Sequence, residues 1–85
     1  MRHRASPEFW DALNALSPTV QALAHRAFAR LKADPRHPGL HFKRVGRLWS
    51  VRVGRSHRVL GVDAPEGVLW FWIGTHAEYD RILAG

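Results

Sequence analysis

The 85-residue sequence predicts an α+β domain: two N-terminal helices packed on a four-stranded, mainly antiparallel sheet, with a short C-terminal helix. Three observations carry that expectation. Two Ser-Pro pairs, Ser6-Pro7 and Ser17-Pro18, give the first third a repeated helix-start signature. Strand-like runs separated by turn residues then fill residues 40–74. Finally, Thr75 and Glu78 have the T-x-x-E spacing of a capping box.

Each element has its own reason. A serine at N-cap accepts a bond from an otherwise unpaired first-turn N–H, and a proline at N1 sacrifices none, so helices are expected to start at Pro7 and Pro18. In the second helix Val20, Leu23, Ala24, Ala27, Phe28 and Leu31 recur at three- and four-residue steps, leaving Gln21, His25, Arg26 and Arg30 on the other faces. "ADPRHPG", residues 33–39, ends it, because Pro35 and Pro38 cannot continue a helix and Gly39 frees the backbone to turn. Beyond lie "LHFKRV", "RLWSVRV", "HRVLGV" and "VLWFWIG", broken at Gly46, "GRS" and "APEG"; an antiparallel meander is the simplest arrangement. In "RLWSVRV" Trp49, Val51 and Val53 share one face while Ser50 and Arg52 share the other, so the sheet has an apolar side and a side able to present polar groups. The last strand is apolar on both faces, as a central or covered strand would be. On the terminal helix Tyr79, Ile82 and Leu83 form a one-sided stripe that is expected to pack down. With no repeat or low-complexity segment, residues 1–85 read as a single domain.

A chain this short buries only ~60–65% of its unfolded surface, so the four Trp and four Phe matter to the core. The absence of Cys excludes a disulfide framework and a cysteine-based zinc site. No apolar run approaches the ~18 residues of a membrane span, and "MRHRASPEFW" has no apolar stretch behind its basic start, so the expected location is the cytoplasm. Thirteen Lys and Arg against seven Asp and Glu give a net charge of +6, which favours phosphate-rich or acidic partners.

The capping box makes His76 the N1 residue, beside unpaired N–H groups and the positive end of the helix dipole, a position that attracts phosphate. That field disfavours imidazolium and leaves a ring able to accept a proton; the alternative is a half-exposed histidine without a role. Arg52 and Arg58 lie on strands joined by the tight "GRS" turn, so they fall near one another at one end of a hairpin, where two guanidinium forks can cradle a phosphodiester. With His76 at the end of the neighbouring strand, they form a candidate RNA-cleaving site that needs no metal or other cofactor. Lys43 and His41 share a face of the first strand and either track an RNA backbone or guard a sheet edge. Arg44, Arg47 and Arg55 are solvated or contact the backbone. His57 either lines the cleft or ends the turn, and Tyr79 either stacks on a base or anchors its helix.

From "PEFW" to "DRIL" the chain resembles the RelE/ParE superfamily of bacterial toxin–antitoxin toxins. The likeness rests on the helical pair before a small sheet, on "LWSVRVGRSHRVLGV" and on "WFWIGTHAEYD". The hairpin is similar to the family's aromatic-x-basic-x-basic strand followed by Tyr-Arg-Val. The third string resembles a subgroup of short ParE-like toxins, and its "GTHA" is similar to a branch whose members cleave messenger RNA on the ribosome with a histidine at this place. The resemblance implies a small αβ toxin wrapped and neutralised by a cognate acidic antitoxin. It also implies one of two targets: the ribosome and its mRNA for RelE-type members, or DNA gyrase, which ParE-type members poison without being nucleases. A non-toxic RNA-binding relative is the remaining alternative. By position, Arg58 matches the arginine of Tyr-Arg-Val, with His57 in place of the tyrosine. Arg52 falls at the strand's second basic residue, with Ser50 in place of the first, and His76 occupies a place that is arginine or histidine in nuclease members. The implied catalytic set is His76, Arg58 and Arg52, and the RNA-binding set is Lys43, Arg44, His57, Arg55 and Tyr79. The nucleases' C-terminal aromatic has no clean counterpart here unless Tyr79 or the nearby chain end serves, and the family's first edge strand looks vestigial in "MRHRA".

Overall fold

The computed structural model describes residues 2–84. In chain order the elements are β1 (Arg2–Ala5), α1 (Pro7–Asn14), α2 (Pro18–Ala33), a 3-10 turn (Pro38–Leu40), β2 (Lys43–Val45), β3 (Leu48–Val53), β4 (His57–Ala64), β5 (Gly67–Thr75) and α3 (His76–Ala84). Both helices start where the Ser-Pro pairs place them. Ser6 Oγ accepts the Phe9 N–H and Ser17 Oγ accepts the Val20 N–H, each at 3.3 Å.

The strands form one sheet in the order β1-β5-β4-β3-β2, so the expected meander is present as β2 to β5. The sheet has five strands rather than four. Arg2–Ala5, which looked vestigial in the sequence, pairs in parallel with β5 from Arg2↔Gly67 to Ala5↔Trp70. Backbone bonds recruit it: Arg2 N–H donates to Glu66 O at 2.8 Å and Ser6 N–H to Trp70 O at 2.9 Å. β5 is therefore a central strand, flanked by β1 and β4. The first meander strand is shorter than "LHFKRV", because the 3-10 turn takes up Leu40 and His41 adopts a left-handed backbone with φ 47°.

α1 packs on β5 and α2 on β3, on the same face of the sheet. Between them lies a core that includes Phe9, Leu13, Leu31, Val53, Val59, Val68 and Trp70, all at most 1% exposed. β5 feeds this core from Val68, Trp70 and Ile73, a spacing that breaks strict alternation. A bulge is the cause: Leu60 pairs with Trp72 while Gly61 pairs with Trp70, leaving Phe71 as the extra residue and shifting the inward phase by one. The stripe expected on α3 packs only in part. Tyr79 is buried, but Ile82 and Leu83 remain 45% and 37% exposed, because α3 rests mainly on β4 and β5 through its first turn.

Candidate functional site

The register places the two hairpin arginines on a single rung. Arg52 of β3 pairs with Arg58 of β4, and Arg58 pairs with Gly74 of β5. Val51, Val53 and Val59 point into the helix-covered core, so Arg52 and Arg58 project from the other face of the sheet. Lys43, opposite Ser50, shares that open face. Arg52 Nε donates to Gly54 O at 2.8 Å, and its Nη1 lies 3.5 Å from His41 Nε2. Arg58 Nη1 donates to the carbonyl of His57 at 2.9 Å. Burial, and after it the like charge of Arg52, pull the Arg58 guanidinium below the usual arginine value, while Tyr79 and Asp80 act the other way. Two guanidiniums that repel one another on a partly desolvated rung are set up to receive an anion.

α3 begins two residues beyond that rung, after Thr75. A side chain at Gly74 would run into the Trp72 ring and come within 3.1 Å of Glu78 Oε1, so glycine is what lets the strand turn into the helix here. The capping box forms as the sequence predicts: Thr75 N–H and Oγ1 donate to Glu78 Oε1 at 2.8 and 2.9 Å, and Glu78 N–H donates back to Thr75 Oγ1 at 3.2 Å. The Thr75 backbone N–H, then its hydroxyl, hold the Glu78 carboxyl below the usual carboxylate range.

His76 is the first residue of α3, but its surroundings differ from the bare N1 position the sequence suggests. Its own N–H is taken by Ser56 O at 2.8 Å, tying the start of α3 to the β3–β4 turn. Its Nδ1 lies 2.9 Å from Asp80 Oδ2, one helical turn on, and its side chain is 49% exposed. With a carboxylate at Nδ1, the tautomer that donates this bond has its proton there and leaves Nε2 as the acceptor. The N–H that the sequence offers to a phosphate at N1 is therefore already paired. The Tyr79 ring meets His76 edge-on at 6.0 Å and is 7% exposed, so it serves as the anchor of α3 and offers no open face to a base.

The remaining candidates separate. Arg44 lies on the opposite face from Lys43, because it pairs with Trp49, which packs against the core. Its guanidinium is committed there: Nη2 reaches both Asp63 oxygens at 2.7 and 2.9 Å, Nη1 donates to Arg47 O at 3.2 Å, and the group lies 4.2 Å over the Trp49 ring. The Trp49 indole N–H, then Arg44, hold Asp63 below the usual carboxylate range. His57 is half-buried on the rung of Val53 and Thr75, on the other face from Arg58, with Nδ1 2.8 Å from Ser56 Oγ. Arg55 is exposed in the turn. The structure thus gathers His76, Arg58, Arg52 and Tyr79 at one end of the sheet with Lys43 on the same face, and it leaves Arg44 and His57 apart from them. The sequence reading missed Asp80, although its i,i+4 spacing from His76 on a capped helix was a usable signal.

This architecture is similar to solved structures of low identity. A chain of the RelB–RelE antitoxin–toxin complex from Methanococcus jannaschii superposes with TM-score 0.69 at 11% identity, covering 92% of this chain and 96% of that one. The isolated E. coli RelE toxin gives 0.61 at 10% identity, covering 94% and 93%. The RelBE2 toxin–antitoxin complex from Mycobacterium tuberculosis gives 0.58 at 20% identity, covering 87% and 95%. These likenesses establish the fold. No curated protein matches the sequence significantly. The profile of the ParE-like toxin domain matches residues 18–81, from the start of α2 through most of α3 and including every residue of the arginine rung and of the His76 turn, and the chain accordingly belongs to the ParE-like toxin family of the RelE/ParE superfamily.

Proposed function

We propose that the chain is the toxin of a type II toxin–antitoxin pair and acts as a ribosome-dependent mRNA endoribonuclease that needs no metal. The observation that carries this reading is the Arg52–Arg58–Gly74 rung, with α3 starting two residues beyond it and His76 secured by Ser56 O and Asp80. In the reaction His76 Nε2 takes the proton of an RNA 2′-OH as that oxygen attacks the adjacent phosphorus. Arg58 and Arg52 stabilise the charge that builds on the pentacovalent phosphate, and Lys43 holds the neighbouring backbone. The P–O5′ bond breaks, and the leaving oxygen takes up the proton that His76 gained from the 2′-OH, passed on through water, which restores the neutral ring. The products are a 2′,3′-cyclic phosphate and a 5′-OH. The setting is the cytoplasm, and the natural partner is an acidic antitoxin. Support for that partner comes from the solved relatives, several of which are antitoxin–toxin complexes, and from the exposed Ile82 and Leu83 on α3, which offer apolar surface to a bound chain.

A second reading is non-enzymatic inhibition of DNA gyrase, favoured by the family profile being that of ParE-like toxins. Induction of wild type, Arg58→Ala and His76→Ala, read by growth, mRNA 5′ ends and plasmid supercoiling, separates the two. The nuclease reading expects new 5′ ends for wild type that persist when extracts are assayed in EDTA, and a loss of about 10²-fold or more in His76→Ala. Toxicity that survives in His76→Ala, with altered supercoiling and intact mRNA, would establish the gyrase reading instead.

A further inference from the structure

Where α2 crosses the end of β3, a hollow of about 350 Å³ opens between the helix, the 3-10 turn and the β3–β4 turn. Its floor is apolar, made by Leu23, Ala27 and Leu40, and four arginines line it: Arg26 and Arg30 from α2, Arg52 from β3 and Arg55 from the turn. No carboxylate lines it, and none of the four forms a salt bridge among the described residues. Arg26 and Arg30 stand one turn apart on α2, a like-charge i,i+4 pair that works against the helix. Arg52 is drawn toward this turn by its bond from Nε to Gly54 O, so it belongs both to the rung with Arg58 and to the hollow. Among the described residues no carboxylate compensates this concentration of charge, and a ligand carrying several negative charges would.

We propose that the hollow binds the phosphodiester backbone of single-stranded RNA, holding phosphates that follow the one lodged between Arg52 and Arg58. Guanidinium forks take phosphate oxygens in pairs, and the apolar floor accommodates a ribose or the edge of a base between successive phosphates. Four forks around so small a volume exceed what a single carboxylate side chain of an acidic peptide would use. The continuity through Arg52 rests on the RNA reading of the rung; the affinity of the hollow for RNA does not require cleavage.

The experiment is fluorescence anisotropy with a labelled single-stranded RNA whose 2′ positions are methylated, titrated across salt concentrations with wild type and with the Arg26→Ala/Arg30→Ala variant. The variant is expected to bind at least tenfold more weakly, with the slope of log K against log salt reduced by about 1.4, the contribution of two single-strand phosphate contacts. Its Tm should equal or exceed that of wild type, since alanine favours the helix and the like-charge pair is gone. An equal loss in Arg2→Ala/Arg4→Ala, on the far edge of the sheet, would overturn the site in favour of diffuse charge. So would unchanged affinity and slope in the α2 variant. Intact RNA binding with lost binding of a polyglutamate peptide would reassign the hollow to an acidic protein. Because methylated RNA cannot be cleaved, these results are independent of the nuclease assay: absence of mRNA cleavage by wild type would remove the catalytic reading alone.

Discussion

On β1 the imidazole of His3 lies over Trp70, with ring centroids 6.0 Å apart and planes 18° from parallel, and its Nδ1 accepts the indole Nε1–H at 3.2 Å. Protonating Nδ1 would set one donor against another. Burial first, and the nearby charge of Lys32 after it, lower the pKa of His3 from its ordinary 6.5. The folded chain therefore binds this proton less readily than the unfolded chain. Stability from His3 is complete above about pH 6.5 and falls as the pH drops from there through the lowered folded value. His3→Gln keeps an acceptor for Trp70 but cannot titrate. Its Tm should lose the His3 share of the decline between about pH 7 and pH 5.5 that wild type shows, and superimposable pH profiles would refute this. At this scale the sequence was informative about the site wherever a local rule fixes geometry. The tight turn brought Arg52 to Arg58, and the capping box placed His76 at N1. It was silent where partners come from elsewhere in the chain, as with the Ser56 carbonyl at His76 and the Asp63 carboxylate that holds Arg44.

Among the elements, β5 shows why a sequence pattern can be read correctly for an incomplete reason. Its run "VLWFWIG" is apolar on both faces, which suggests a central strand, and it is one. Much of the broken alternation, however, comes from the bulge at Phe71, which lets Trp70 and Ile73, three residues apart, both reach the core. The bulge lies opposite Gly61. A Cβ there would stand 2.6 Å from Val68 Cγ1 and 2.7 Å from Trp70 Cε3, and Trp70 is fully buried with no room to retreat. Gly61→Ala should therefore cost about 1–3 kcal/mol by overpacking, lowering Tm by roughly 4–8 °C per kcal/mol. Thermal melts followed by Trp fluorescence check this, and a Tm within about 1 °C of wild type would show that the core adjusts without strain. The helices were legible because serine caps and the α2 stripe are local signals. The bulge was not, because it is a relation between two strands.

For the whole molecule the decisive contact is the one between the ends of the chain. β1 lies beside β5, more than sixty residues later, and converts β5 from an edge strand into a central one. "RHRA" carries no apolar run to announce this, because only His3 and Ala5 face inward while the pairing itself is made by backbone hydrogen bonds. In a domain with no disulfide and a small core, that ladder is a large share of the margin. Deleting residues 2–5 removes the Arg2 bond to Glu66 O, part of the cover over Trp70 and the shield on β5. At a net ~0.5–1.5 kcal/mol per hydrogen bond, losing the few bonds of this four-residue pairing costs about 2–4 kcal/mol. Tm should fall by at least about 10 °C, and β5, now a long apolar edge, should drive concentration-dependent aggregation. Calorimetry and light scattering on the shortened chain test both effects together. The arginine rung lies on β3 and β4, away from the deleted strand, so at temperatures where the shortened chain remains folded its RNA affinity should stay within about twofold of wild type apart from the small loss due to Arg2 and Arg4. A shortened chain that melts and scatters like wild type would mean that β1 is an ornament on the sheet, and that the ladder from Arg2 to Ala5 contributes nothing to holding β5 in the core.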